Sequence, residues 1–96
     1  MPARILVADD DPALLEMMGL TLRKEGFRVS SAANGAELLD RLGEADFDLV
    51  VSDIYLGDMN AIDLLVEIQN ACPDAAIILV TAQGTVETAA AATQAG

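Results

Sequence analysis

Four short apolar segments, separated by stretches with the periodicity of a helix, limit this chain to very few folds. Each segment is bounded by turn-forming or acidic residues, as expected for strands. The predicted strands lie at 5–8, 27–32, 47–52 and 75–80. Because strands and helices alternate along the chain, we predict an α/β fold with a mostly parallel sheet and helices on its faces.

The boundaries of the helices carry their own signals. Asp11 followed by Pro12 predicts a helix with an aspartate cap and proline in its first turn, ended by Gly26. The other predicted helices begin at Asn34-Gly35, at about residue 61 and at residue 84. Pro73 ends the helix that begins at about residue 61, which we expect to span about 61–71.

Composition excludes several classes of function. The net charge is −11 and the five basic residues are scattered, so we expect no nucleic-acid surface and no attraction to an anionic membrane. The longest clean apolar run, 75–80, is too short to span a bilayer. The one cysteine, Cys72, excludes an internal disulfide. With no signal peptide recognisable, we expect one cytoplasmic domain covering residues 1–96.

Polar side chains follow three of the four predicted strands. Asp9 and Asp10 come after the first strand, Asp53 after the third and Thr81 after the fourth. The carboxyl ends of parallel strands lie at one edge of the sheet, where ligands of such folds bind. Two carboxylates about 4 Å apart repel by about 4 kcal/mol at an effective dielectric constant near 20. A hard cation such as Mg2+ would relieve this repulsion.

Such a site favours phosphoryl chemistry. With Mg2+ bound, a carboxylate can attack phosphorus and form an aspartyl phosphate, while a hydroxyl such as that of Thr81 can donate to a phosphoryl oxygen. Each residue also has a simpler interpretation. Asp11 would be a helix cap, and Asp9 and Asp10 would be solvated loop charges. Asp53 would be an ordinary aspartate after a strand, and Thr81 an ordinary β-branched strand residue. The combination in this βα order indicates a functional site more strongly than any single residue does.

Four motifs together resemble the receiver domain of two-component response regulators. They are the opening segment 5–12, the strand 48–54, the strand 77–82 and the segment 84–89. The last of these, with 94–96, is similar to receivers of NtrC-type transcriptional activators. The resemblance implies a flavodoxin-like, doubly wound parallel sheet of order 2-1-3-4. It also implies a signalling domain that is not an enzyme, beyond its own phosphorylation and dephosphorylation.

The resemblance assigns roles to individual residues. Asp53 would accept a phosphoryl group from a histidine kinase or a small-molecule phosphodonor. Mg2+ would be held by Asp53, by Asp10 directly, by Asp9 through water, and by the backbone carbonyl of Tyr55. Thr81 would move to contact the phosphoryl group and switch an output, which for this family is often transcription.

Three departures from the family pattern are visible. Gly57 stands where the family often has proline and Ala61 where it often has glycine, so we expect a more mobile loop. The family's fifth strand, with its leading lysine, and its fifth helix follow the point at which this sequence stops, so we expect a C-terminally incomplete domain. Its only lysine, Lys24, belongs to the first helix. An uncovered fourth strand, 76–80, predicts association into a homodimer.

Two other interpretations remain open from the residues alone. A haloacid-dehalogenase-type phosphohydrolase also begins with a strand followed by Asp-x-Asp, which would make Asp9 the nucleophile. Pro12, the lack of a later lysine and the short chain count against it. A receiver-like domain that is never phosphorylated is the third interpretation.

Overall fold

The computed structural model describes residues 2–80, which form four parallel strands and three helices. The elements in chain order are β1 Arg4–Ala8, α1 Pro12–Lys24, β2 Arg28–Ala32, α2 Gly35–Leu42, β3 Leu49–Asp53, α3 Leu65–Ala71 and β4 Ala76–Val80. The predicted fourth helix, from residue 84 onward, and Thr81 lie outside the described residues. No helix within residues 2–80 has the length and apolar character needed to cross a membrane.

The strands are arranged in the order β2-β1-β3-β4, which confirms the predicted sheet. In the parallel register, Ala8 at the end of β1 pairs with Ala32 of β2 and with Ser52 of β3. The carboxyl ends of these three strands therefore lie side by side. Residues 5–8 of β1 are all buried, as expected for a strand with neighbours on both edges and helices on its faces.

The main core lies between the sheet and the helices α2 and α3. Its members are apolar and almost fully enclosed, and they include Leu6, Val50, Leu38, Ile68 and Leu79. The opposite face of the sheet is covered only by α1 among the described elements, and there the packing is thinner. Within α1 only Gly19 is fully buried, while Met17 is more than half exposed.

The start of α1 follows its sequence signals. The Asp11 carboxylate accepts the backbone N–H groups of Ala13 and Leu14 at 3.0 and 3.4 Å, and Pro12 occupies the first turn. Such a cap stabilises a helix by about 1 kcal/mol. Gly26 follows the helix with φ +94°, a conformation that glycine adopts at little cost.

The third helix begins four residues later than the predicted start near residue 61. Residues 61–64 form turns with i to i+3 hydrogen bonds, among them Leu64 N–H to the Ala61 carbonyl at 3.1 Å. The Asn60 side chain accepts the N–H of Ile62 at 2.8 Å and holds this turn in place. Regular i to i+4 bonding starts with Ile68 N–H to the Leu64 carbonyl. Pro73 lies beyond the end of α3, as predicted.

The outer edge of β2 is occupied by two arginines. Residues 28 and 32 bond to the β1 side, so the carbonyls of Val29 and Ser31 point away from the sheet. Arg23 of α1 donates to the Val29 carbonyl and Arg41 of α2 donates to the Ser31 carbonyl, both at 3.2 Å. The acceptors that an additional strand would need on this edge are therefore in use.

Candidate metal and phosphoacceptor site

Three carboxylates meet at the carboxyl edge of the sheet. Asp9 and Asp10 follow β1, and Asp53 is the last residue of the neighbouring strand β3. One oxygen from each of the three lies within 4.8 Å of the others. The structure thus brings together the three aspartates that the sequence singled out.

Asp9 and Asp10 differ in their surroundings. Asp9 is only 2% exposed, and its Oδ1 accepts the backbone N–H of Asp11 at 2.8 Å. Its own N–H donates to the Ala32 carbonyl at 3.1 Å, so both backbone and side chain are fixed. Asp10 is exposed, and its Oδ2 lies beside the backbone of Gly57, where an added Cβ would come within 3.8 Å.

Asp53 is half-buried and faces the other two carboxylates. Its Oδ1 accepts the backbone N–H of Tyr55 at 3.3 Å. Burial raises the pKa of Asp53 above its ordinary value; the Tyr55 N–H lowers it, and the negative charges of Asp9 and Asp10 raise it further. The site therefore favours neutralising Asp53, by a proton or by a cation.

The donor set fits a hard divalent cation. Mg2+ binds oxygen at about 2.0–2.1 Å, so two of its ligands lie at most about 4.2 Å apart. The observed separation of up to 4.8 Å needs only a small side-chain adjustment. Carboxylate oxygens are the ligands this ion prefers, and a positive charge here offsets the repulsion among three aspartates.

The loop after Asp53 folds back on itself. Tyr55 pairs with Asn60 in an isolated antiparallel bridge, and the Leu56 N–H donates to the Met59 carbonyl at 3.0 Å. Gly57, at the tip, has φ +85°. Proline, whose φ is fixed near −65°, could not occupy that position in this conformation. The positive φ at position 57 therefore accounts for glycine rather than proline there.

One contact of this loop was not indicated by the sequence pattern. The Asp58 carboxylate accepts the N–H groups of Gly35 and Ala36, at 2.7 and 3.1 Å, in the first turn of α2. The Gly35 N–H holds the pKa of Asp58 below its ordinary value. The available signal was Gly35 itself, because glycine is a poor residue for a helix unless another segment approaches closely.

The remaining sequence candidates fall into two groups. Asp11 lies beside the cluster, but its carboxylate caps α1, as its simpler interpretation predicted. Thr81 lies outside the described residues, so its proposed contact with a phosphoryl group stays a prediction.

The family model of the response regulator receiver domain matches residues 5–96. Among curated proteins, the chain is 44% identical over 95 residues to the transcriptional regulatory protein GlrR of Escherichia coli K12. That alignment covers 99% of this chain and 21% of GlrR, so the chain spans about one fifth of its relative's length.

Solved structures show the same fold. A response regulator from Burkholderia pseudomallei, with a phosphorylated aspartic acid, calcium ion and citrate, aligns with a TM-score of 0.90 at 28% identity, covering 98% of this chain and 55% of that one. The beryllofluoride-activated NtrC4 receiver domain dimer aligns with a TM-score of 0.86 at 28% identity, covering 97% of this chain and 77% of the NtrC4 chain.

These relationships separate the interpretations that the residues left open. Receiver domains are regulatory, which agrees with the prediction that this chain is not an enzyme. The comparisons do not favour a dehalogenase-type hydrolase with Asp9 as nucleophile, and they do not favour a receiver that is never phosphorylated. The family model matches residues 5–96, and the sheet order and the three clustered aspartates agree with it. The chain therefore belongs to the response regulator receiver domain family.

Proposed function

We propose that Asp53 accepts a phosphoryl group from a histidine kinase or a small-molecule phosphodonor. Mg2+ would be held by Asp9, Asp10, Asp53 and the backbone carbonyl of Tyr55. The observation that carries this proposal is the convergence of three carboxylates within 4.8 Å. Asp53 is the more accessible nucleophile, since it is only half-buried whereas Asp9 is 2% exposed.

The chemistry is an in-line displacement at phosphorus. An Asp53 carboxylate oxygen forms a bond to phosphorus as the bond from phosphorus to the donor's nitrogen or oxygen breaks. The leaving group keeps the electron pair, and a phosphohistidine donor also takes up a proton. When bound, Mg2+ neutralises negative charge on the phosphoryl oxygens. Asp9 and Asp10 supply the fixed negative charge that attracts the cation to this edge of the sheet.

The consequence of the reaction is a change in charge. An aspartyl phosphate adds negative charge where a carboxylate stood, much as phosphorylation of other side chains does. Thr81 would donate its hydroxyl to a phosphoryl oxygen and bias a two-state equilibrium. We propose that the switch controls transcription through the remainder of a larger protein, as in the NtrC-type relatives, and that it operates in the cytoplasm.

Intact-mass measurement after incubation with acetyl phosphate and Mg2+ tests the assignment. We expect the mass of one phosphoryl group on the wild-type protein and none on Asp53→Asn. A matched control is Asp63→Asn, which removes an exposed carboxylate outside the cluster and should still be labelled. Labelling that persists in Asp53→Asn, or that maps to Asp9, would support the hydrolase interpretation instead. No label on the wild type would indicate a receiver that is never phosphorylated.

We also propose that the 96-residue chain forms a homodimer through β4. Within residues 2–80, β4 is an end strand of the sheet, and the opposite end, β2, has its outward carbonyls occupied by arginine. Ile78 and Val80 are 47% and 39% exposed, so this end is apolar. An apolar strand at an edge is a ready partner for another strand. The beryllofluoride-activated NtrC4 receiver domain, to which this chain is similar, is a dimer, which supports the proposal that this chain pairs.

Sedimentation velocity over a range of concentrations tests the dimer. We expect Ile78→Lys and Val80→Lys to shift the equilibrium toward monomer, because each places a charge in the apolar contact. Met17→Lys is the control, since Met17 is also apolar and exposed but lies on α1. A concentration-independent monomer for the wild type would refute the proposal.

A further inference from the structure

Asp58 connects the loop that follows Asp53 to α2, a helix that is distant in the sequence but adjacent in space. Its Oδ1 accepts the Gly35 N–H at 2.7 Å and its Oδ2 accepts the Ala36 N–H at 3.1 Å, across 23 and 22 residues of sequence. A helix leaves its first N–H groups without an internal partner, and its positive end attracts a carboxylate. Asp58 therefore satisfies two donors of α2 from outside the helix.

The local cap of α2 does not replace this contact. The Asn34 side chain accepts the Glu37 N–H at 2.8 Å, leaving the two preceding N–H groups to Asp58. Gly35 permits the approach, because a Cβ at that position would lie 2.7 Å from Cβ and Sδ of Met59. Real Cβ atoms do not come so close, so any larger residue at 35 displaces Met59.

The same loop also contacts the aspartate cluster, through Tyr55 and Gly57. The Tyr55 N–H donates to Asp53 Oδ1 at 3.3 Å, and Tyr55 pairs with Asn60 across the base of the loop. The backbone of Gly57 lies next to Asp10 Oδ2. A shift of the loop tip away from α2 would thus move backbone that adjoins two of the three clustered carboxylates.

We propose that Asp58 is a positioning residue for the metal site, holding the loop 55–60 against the first turn of α2. The affinity for Mg2+ then depends on a carboxylate that is not one of the three in the cluster. This inference rests on the proposed function in assigning Mg2+ to Asp9, Asp10 and Asp53. Because coupling between sites is reciprocal, bound Mg2+ also strengthens the contact at the first turn of α2.

The test is a Mg2+ titration followed by tyrosine fluorescence, which reports on the loop because Tyr55 is the only tyrosine and the chain has no tryptophan. We expect the Kd for Mg2+ to rise about tenfold in Asp58→Asn, within the usual range of coupling between sites. Gly35→Ala should raise it several-fold without changing any charge. Asp63→Asn is the control: it removes one negative charge, as Asp58→Asn does, but no long-range hydrogen bond among the described residues involves the Asp63 carboxylate. Its Kd for Mg2+ should stay within about twofold of the wild-type value.

A second readout separates positioning from a purely structural role. Hydrogen exchange at the Gly35 and Ala36 amides should slow on adding Mg2+ to the wild type and should not respond in Asp58→Asn. Thermal melting without Mg2+ establishes that each variant is folded before titration. Wild-type binding with an unchanged Kd in both Asp58→Asn and Gly35→Ala would overturn this inference alone. A wild-type protein that does not bind Mg2+ would overturn the proposed function as well.

Discussion

Removing one charge from the aspartate cluster should stabilise the protein when no divalent cation is present. The variant is Asp10→Asn, which keeps the shape of the side chain and deletes the charge facing Asp9 and Asp53. Asp10 is exposed, so the substitution leaves no buried cavity. Most single substitutions destabilise a protein, so the effect expected here has the opposite sign.

The magnitude follows from the distances. Two charges 4.8 Å apart, the upper limit within the cluster, repel by about 3.5 kcal/mol at a dielectric constant of 20 and by about 0.9 kcal/mol at 80. Asp10 is exposed, so the lower figure is the better guide and solvent screening reduces it further. Summed over its two partners this gives about 1.8 kcal/mol before screening. Because Asp9 also neighbours Asp10 in the unfolded chain, we expect a net gain of about 1 kcal/mol. For a chain of this size, each 1 kcal/mol raises Tm by about 4–8 °C.

The assay is thermal unfolding in EDTA and again in Mg2+, at matched ionic strength. Mg2+ at 100 times its Kd adds about 2.7 kcal/mol to the wild type. Asp10→Asn has lost a proposed ligand and should gain much less, so the order of the two proteins reverses when Mg2+ is added. Glu16→Gln is the control, because it removes an exposed charge on α1 and should match the wild type in both conditions.

Two results would refute this reasoning. An Asp10→Asn protein no more stable than the wild type in EDTA would mean that repulsion within the cluster is negligible. An equal Mg2+ response in both proteins would mean that the ion stabilises the fold from another place.

Three further outcomes follow from the structure. Because burial and the charges of Asp9 and Asp10 raise the pKa of Asp53, the folded state binds a proton at this carboxylate more tightly than the unfolded state does. The stability of the wild type relative to Asp53→Asn, measured by urea unfolding, should therefore fall as pH rises from below 3.8 through the raised pKa. A stability difference that stays constant over that pH range would contradict the assignment. Asp11→Ala should cost about 1 kcal/mol in urea unfolding through loss of the α1 cap, whereas Asp74→Ala, at an exposed turn, should cost little. Leu38→Ala should cost about 2–5 kcal/mol because Leu38 is fully buried against the sheet, and a value below 1 kcal/mol would show that the core relaxes to fill the space.

The elements that the sequence predicted well are specified by local residues. β1 is an uninterrupted apolar run followed by acidic residues, and its residues 5–8 are buried as a central strand requires. The start of α1 depends on Asp11 and Pro12, which act within one turn of the helix. The meeting of Asp9, Asp10 and Asp53 follows from the parallel order of the strands, so it too could be predicted before any coordinates.

The features that the sequence did not predict depend on contacts between distant segments. The apolar spacing of residues 61–64 fits a helix, but the Asn60 side chain and i to i+3 bonds make them a turn. The Asp58 contact joins residues more than 20 positions apart, and its one local signal, the glycine at position 35, does not identify the partner. The more mobile loop expected from Gly57 stays a prediction; what the sequence did not indicate is that this glycine has a positive φ in a defined reversal of the chain.

Arg23 of α1 and Arg41 of α2, which bond to the outer edge of β2, bear on how large an assembly of this sheet could become. If two copies join through β4 around a two-fold axis, the combined sheet ends in β2 on both sides. At each of these ends, the carbonyls of Val29 and Ser31 are already bonded to Arg23 and Arg41. A third copy would have to displace guanidinium groups before it could add a strand. In the proposed dimer each copy uses its β4 edge to pair with the other, so we expect association through β4 to stop at two copies.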